Sequence, residues 1–213
     1  MIIKLILKDI YLIKKYLFLT MILAVIVPLF YAWRAPKLLG FTVIIMTVLL
    51  VEVLLVGNLF IEEEKYPKAE MLLCSSPYTR KNLVCEKYIF SFLIFIYCCL
   101  AYDVVALLFP YISFLKIKTI FLILLINTAL FGVFFPLQYK FGIQSTKLFL
   151  SVGVFAFPLI LTGLVNICSD KLNSFVVKNV SENSQYIIIS FLIIIIEILS
   201  INISNKIYSH KEF

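Results

Sequence analysis

The sequence predicts an all-α, polytopic membrane protein: six transmembrane helices, an amphipathic N-terminal helix lying in the membrane interface, and a short helix in the loop between the second and third spans. Three observations carry this. Hydrophobic residues make up 63% of the 213 positions and the mean hydropathy is +1.08, more apolar side chain than one small water-soluble core can hide. That apolar content falls into six runs, residues 16–33, 41–61, 88–109, 119–139, 148–168 and 186–203, each close to the roughly 20 helical residues that cross a bilayer. The runs are solid Leu, Ile and Phe, where a barrel would show alternating strands of about 10 residues. Finally, the basic residues are sorted. With both termini on the cytoplasmic side, thirteen Lys and Arg fall inside and six outside, as the positive-inside bias requires. Residues 1–213 read as a single transmembrane domain.

In residues 1–15, Lys4, Lys8, Tyr11 and Lys15 recur at helical spacing, while Ile2, Ile3, Leu5, Ile6, Ile10 and Ile13 cover most of the remaining circumference. Such a helix is expected to lie in the inner membrane surface with its lysines toward water. The apolar run that follows is long and ends in Tyr31-Ala32-Trp33-Arg34-Ala35-Pro36, without a small-residue cleavage site, so it is expected to be a retained first span. Pro28, Pro136 and Pro158 sit within spans one, four and five, where each removes a backbone donor and favours a kink. Gly132 in span four, with Ser151, Gly153 and Gly163 in span five, permit close helix approach. The five cysteines read as small apolar residues, not a disulfide framework.

Residues 62–87 concentrate ten charges, five acidic and five basic, so part of this loop must meet water. Glu62, Glu63 and Glu64 precede Pro67, which suits the first turn of a helix, and their charge suits the helix dipole. Ala69, Leu72 and Leu73 line one side and Met71 and Ser75 the next, before Ser75-Ser76-Pro77 stops the helix. Thr79 is placed to cap a second helix that starts Arg80-Lys81-Asn82 and runs into span three.

The residues exclude most chemistry. The single histidine, His210, leaves nothing for a His-based metal or nucleophile site, and there is no Gly-rich phosphate loop. The Glu63-Glu64 pair opens a string like the EExxxR of CAAX-type intramembrane proteases, but Lys68 stands where Arg belongs and membrane histidines are missing. No catalytic residue, metal site or cofactor is expected in this chain. The net charge of +7 fits topology and anionic headgroups, not nucleic acid. Three acids do fall inside spans: Glu52, Asp103 and Glu197. A carboxylate near the bilayer centre costs about 2.5–3.5 kcal/mol on insertion scales. Each therefore either lines a polar path for a cationic or amphipathic cargo, or is protonated and hydrogen-bonded to a neighbouring helix, with Asn58 and Asn127 as candidate partners.

The order acidic cluster, short helix, Leu72-Leu73, Ser75-Ser76-Pro77, Thr79-Arg80, Leu83-Val84 and Lys87-Tyr88 resembles the small six-helix permeases of ABC-2 type ABC transporters, in which LL-S-P-[ST]-R...KY is typical. The LxLKD start, here Leu5 to Asp9, and the basic tail Lys206 to Phe213 are similar too. The resemblance implies a permease subunit of an ATP-driven exporter in the bacterial cell membrane, multi-pass with both termini cytoplasmic. It implies a second permease, as homodimer or heterodimer, and cytoplasmic ABC ATPase subunits that bind the ATP and Mg. The 62–87 loop would be the coupling element, with Pro67, Met71, Leu72, Leu73, Ser75, Pro77 and Arg80 facing the ATPase. The implied cargo class is amphipathic or antimicrobial peptides. A second reading keeps the loop as a binding element but makes the chain a non-transporting membrane immunity or assembly factor.

Overall fold

The computed structural model describes residues 2–34, 40–66, 79–109, 112, 114–146, 152 and 182–209. Among these there are six helices and no strands: α1 (Ile2–Leu12), α2 (Lys14–Arg34), α3 (Phe41–Glu64), α4 (Arg80–Leu108), α5 (Ile117–Thr146) and α6 (Glu182–Ser209). Helices α2 to α6 supply five segments long and apolar enough to cross a membrane. Apart from Val152, the expected span over 148–168 lies outside the described residues, as does the expected helix at 67–77.

The spans form where solid apolar runs make an intrasegment backbone ladder the only satisfied arrangement in lipid. Span three starts earlier than its apolar run, because Thr79 caps it: its hydroxyl accepts the Asn82 N–H at 3.3 Å, as its spacing predicts. Pro28 and Pro136 both lie inside helices, the former buried. The most enclosed span is α3, which packs on α2 and α4, whereas α2 and α6 keep most of their surface outward. An aromatic cluster closes one end of the bundle. Phe60 of α3 meets Phe134, Phe135 and Tyr139 of α5, Tyr88 of α4 stacks on Phe135 at 4.6 Å, and Tyr139 meets Tyr208 of α6 at 5.2 Å.

Helix α1 corrects one expectation. Its Lys4 is exposed, but Lys8 turns toward the bundle instead of water, because Leu5, Ile6, Asp9 and Ile13 form the buried face and carry Lys8 to its edge. These positions lie at i, i+4 and i+8, with Ile6 one residue off, which is the stripe of a helix packed on protein.

Candidate functional site

The strongest feature of the molecule is a buried ion-pair junction where α1, the end of α3 and the start of α4 meet. It stands at the same end as the aromatic cluster. Lys87 is only 6% exposed, and its Nζ lies 2.8 Å from Asp9 Oδ2, 2.7 Å from Glu63 Oε1 and 3.4 Å from Glu86 Oε1. Lys8 Nζ lies 2.9 Å from Asp9 Oδ1, 3.2 Å from Glu63 Oε1 and 3.6 Å from Glu86 Oε1. The Lys87 ammonium also sits 5.6 Å from the centre of the Phe60 ring. Asp9, Glu63 and Glu86 bring oxygens within 4.8 Å of one another, a separation that suits a cation, and the cation among them is the Lys87 ammonium. Burial alone would push the Asp9 carboxyl up. Lys87, a hydrogen bond with Glu86, and Lys8 outweigh it and hold Asp9 below its ordinary value. For Lys8, burial and the neighbouring Lys87 push down, yet Glu63, Asp9 and Glu86 leave it above the ordinary lysine value.

The acidic cluster that opens the 62–87 loop is therefore part of the scaffold. Glu62 pairs with Lys65 at 2.6 Å, Glu63 enters the junction, and Glu64 Oε1 accepts the Ile143 N–H of α5 at 2.7 Å. That last bond exists because the backbone at Gly142 turns to a φ of 75°, where the lack of a Cβ matters. Each of the three glutamates makes a different contact. Arg80, expected to face an ATPase, donates through Nη1 to the carbonyls of Tyr208 at 3.3 Å and Ser209 at 2.8 Å. It thereby places a cation on the C-terminal end of α6, where the helix dipole favours it. Pro67, Met71, Leu72, Leu73, Ser75 and Pro77 lie outside the described residues.

Tyr88, next to Lys87, ties α4 to α5 and α6. Its hydroxyl lies 2.6 Å from Ser200 Oγ and 2.8 Å from Ser204 Oγ, and Ser200 Oγ donates to the Gly132 carbonyl at 2.7 Å. A hydroxyl has one proton to give. The direction of the chain is thus fixed: Ser204 donates to Tyr88, Tyr88 to Ser200, Ser200 to Gly132 O. The close approach at Gly132 follows, since a Cβ there would stand 3.2 Å from Ile196 Cγ2, matching the small-residue expectation for this span.

Of the membrane acids, Glu52 is fully buried and accepts from Ser91 of α4. Asn58 bonds its own helix at Leu54 O instead. Glu197 is half-buried on α6. Asp103 is set apart: its Oδ1 accepts the Leu115 N–H at 3.2 Å and so caps the α4–α5 connection.

Sequence comparison decides the family. The family model described as "ABC-2 family transporter protein" matches residues 4–209. The chain belongs to the ABC-2 family of transporter proteins. No curated protein and no solved structure matches it significantly. The permease motif now has a physical content. Lys87 holds the ion-pair junction, Tyr88 holds α6, and Arg80 caps α6. The junction was missed in the sequence, although one signal for it was there: Asp9 stands between Leu5 and Ile13 on the apolar face of α1, where an acid needs a buried cation.

Proposed function

We propose that this permease is driven by a separate cytoplasmic ABC ATPase and that residues 62–87 are its coupling element. The observation that carries the reading is the junction. Glu63 and Lys87 join the two helices that flank the loop at 2.7 Å, and Asp9 joins α1 to the same lysine at 2.8 Å. A force applied to the loop would reach α3, α4 and α1 as one body, and α4 would pass it to α6 through Tyr88. Leu72 and Leu73, with Met71, would be the apolar ridge that a partner socket grips, since a few buried anchors carry most binding energy. Pro67, Ser75 and Pro77 would bound the gripped segment.

In this reading the permease does no covalent chemistry; ATP and Mg belong to the partner. The charged end of the bundle faces the cytoplasm, which the distribution of Lys and Arg favours. A second permease, identical or different, completes the path across the bacterial cell membrane. Glu52, buried on α3, and Glu197, half-buried on α6, would form the polar part of that path, while Asp103 serves the outer connection. The cargo is a cationic or amphipathic peptide, moved outward. The test is co-purification with the ATPase followed by ATP hydrolysis in lipid, with and without candidate peptides. Stimulation by cargo supports a coupled exporter. Stable binding without stimulation by any peptide, and without transport, would favour the non-transporting immunity or assembly factor.

A further inference from the structure

Helix α1 has two faces, and only the inner one is accounted for by the bundle. The outward face carries Ile3, 73% exposed, Leu7, 47% exposed, and Tyr11, 75% exposed, together with the exposed Lys4, Lys14 and Lys15. Among the described residues, no hydrogen bond or ion pair holds these lysines or Tyr11, and Ile3 and Tyr11 stand largely uncovered. The acid of this helix, Asp9, is turned away and neutralised in the junction, so the outward face is purely cationic and apolar.

Two further observations say what covers it. The first is depth. Lys8 and Asp9 hold α1 level with Glu63, in the last turn of α3, and with Lys87, just before the apolar run of α4. That is where the spans leave hydrocarbon. The second is continuity. Backbone bonds from Ile13 N to Asp9 O at 3.1 Å and from Leu17 N to Ile13 O at 2.9 Å carry the helical ladder past Ile13. Ile3, Leu7, Tyr11 and Lys14 are then followed at helical spacing by Phe18, 70% exposed, and Ile22, 39% exposed, on the outer side of the α2 span. A face that continues a lipid-facing stripe, lies at the boundary depth, and combines an aromatic, aliphatic groups and lysines has the composition of a surface bound to acidic headgroups.

We propose that the outward face of α1 is a binding surface for anionic phospholipid headgroups, with Lys4, Lys14 and Lys15 meeting the phosphates and Ile3, Leu7 and Tyr11 seated among the upper acyl chains. Because the inner face of the same helix holds Asp9 against Lys87, lipid bound outside steadies the junction inside. The full-length permease in phosphatidylcholine nanodiscs is compared with the same protein in phosphatidylcholine–phosphatidylglycerol discs, reading amide hydrogen exchange over residues 2–12. Three lysines at such a surface correspond to roughly a 10²-fold stronger headgroup association, so exchange should slow on going to anionic discs and recover as salt screens the charges. The variant K4Q/K14Q/K15Q should lose the difference. Its melting in detergent should match the wild type, since the three side chains are exposed, and the salt series on the unaltered chain gives the same answer without a variant. Inorganic phosphate added to neutral discs should leave exchange unchanged. Equal exchange in the two lipids would overturn the proposal. So would slowing by free phosphate alone, or slowing that requires a soluble partner or a second permease.

Discussion

Lys87 is the residue whose loss should be felt most, and the structure sets the size of the effect. Replacing it by Met leaves Asp9 and Glu86, both fully buried, beside Glu63 without their nearer cation. Removing one partner of a buried ion pair costs about 3–5 kcal/mol. Lys8 remains 2.9 Å from Asp9 and 3.2 Å from Glu63 and is partly exposed, so the lower end, about 3 kcal/mol, is expected. In D9N/K87Q the Asp9 and Lys87 charges disappear together and Lys8 still matches Glu63, so the loss should fall to about 1 kcal/mol, less than that of K87M alone. The assay is thermal unfolding in detergent with a thiol-reactive dye. The Cys98 and Cys99 thiols, 1% and 8% exposed, become reactive only on unfolding, above a baseline set by the other three cysteines, Cys74, Cys85 and Cys168. The sign with pH follows from Asp9. Its folded-state carboxyl lies below the ordinary 3.8, so its contribution is fully present above that value and is lost as the pH falls through the lower folded one. The defect of K87M should accordingly persist through neutral pH. Wild-type melting by K87M, or a double variant that loses as much as K87M, would refute the reasoning.

Three other outcomes follow from the same geometry. Tyr88→Phe removes the hydroxyl that links Ser204 to Ser200 and should lower stability by about 1–2 kcal/mol in the same melting assay, loosening α6 first by hydrogen exchange. Gly142→Ala forces a side chain onto a φ of 75° and places its Cβ 3.3 Å from Glu64 Oε1, so a loss of about 1–2 kcal/mol is expected, and Glu64→Ala should make it smaller. Glu52→Gln and Glu197→Gln keep the hydrogen-bonding shape and should assemble normally while losing transport of cationic peptide in vesicles; normal export by both would make the carboxylates structural.

The spans were legible because hydrocarbon leaves a chain few options, and a run such as Phe41 to Ile61 announces itself. Thr79 was legible as a cap, since capping depends on neighbours three residues away. That Glu52 needs a donor on a neighbouring helix was legible too, because a buried acid must find one; the donor that meets it is Ser91 of α4. The ties that build the charged end were not. Asp9 and Lys87 are 78 residues apart, Glu64 and Ile143 are 79 apart, and Arg80 reaches carbonyls nearly 130 residues away. No periodicity records such pairs, and charges beside a span read by default as facing water. Within one element the signals were present but unread. Asp9 interrupts an apolar face, and Ser200 and Ser204 sit one turn apart in an isoleucine-rich helix, where two hydroxyls on one side call for a polar partner.

The claim that residues 62–87 receive the stroke of an ATPase is tested most directly by retention of that ATPase. A Leu72→Asp/Leu73→Asp variant would place carboxylates in the partner's apolar socket, at a cost of several kcal/mol while they stay unpaired, and leaves untouched the junction formed by Asp9, Glu63 and Lys87. The measurement is pull-down of the partner ATPase by wild-type and variant permease from the same membranes. The account predicts equal insertion and equal thermal stability, with the ATPase retained by the wild type and lost from the variant. Retention at the wild-type level would contradict it and leave the loop without a coupling role.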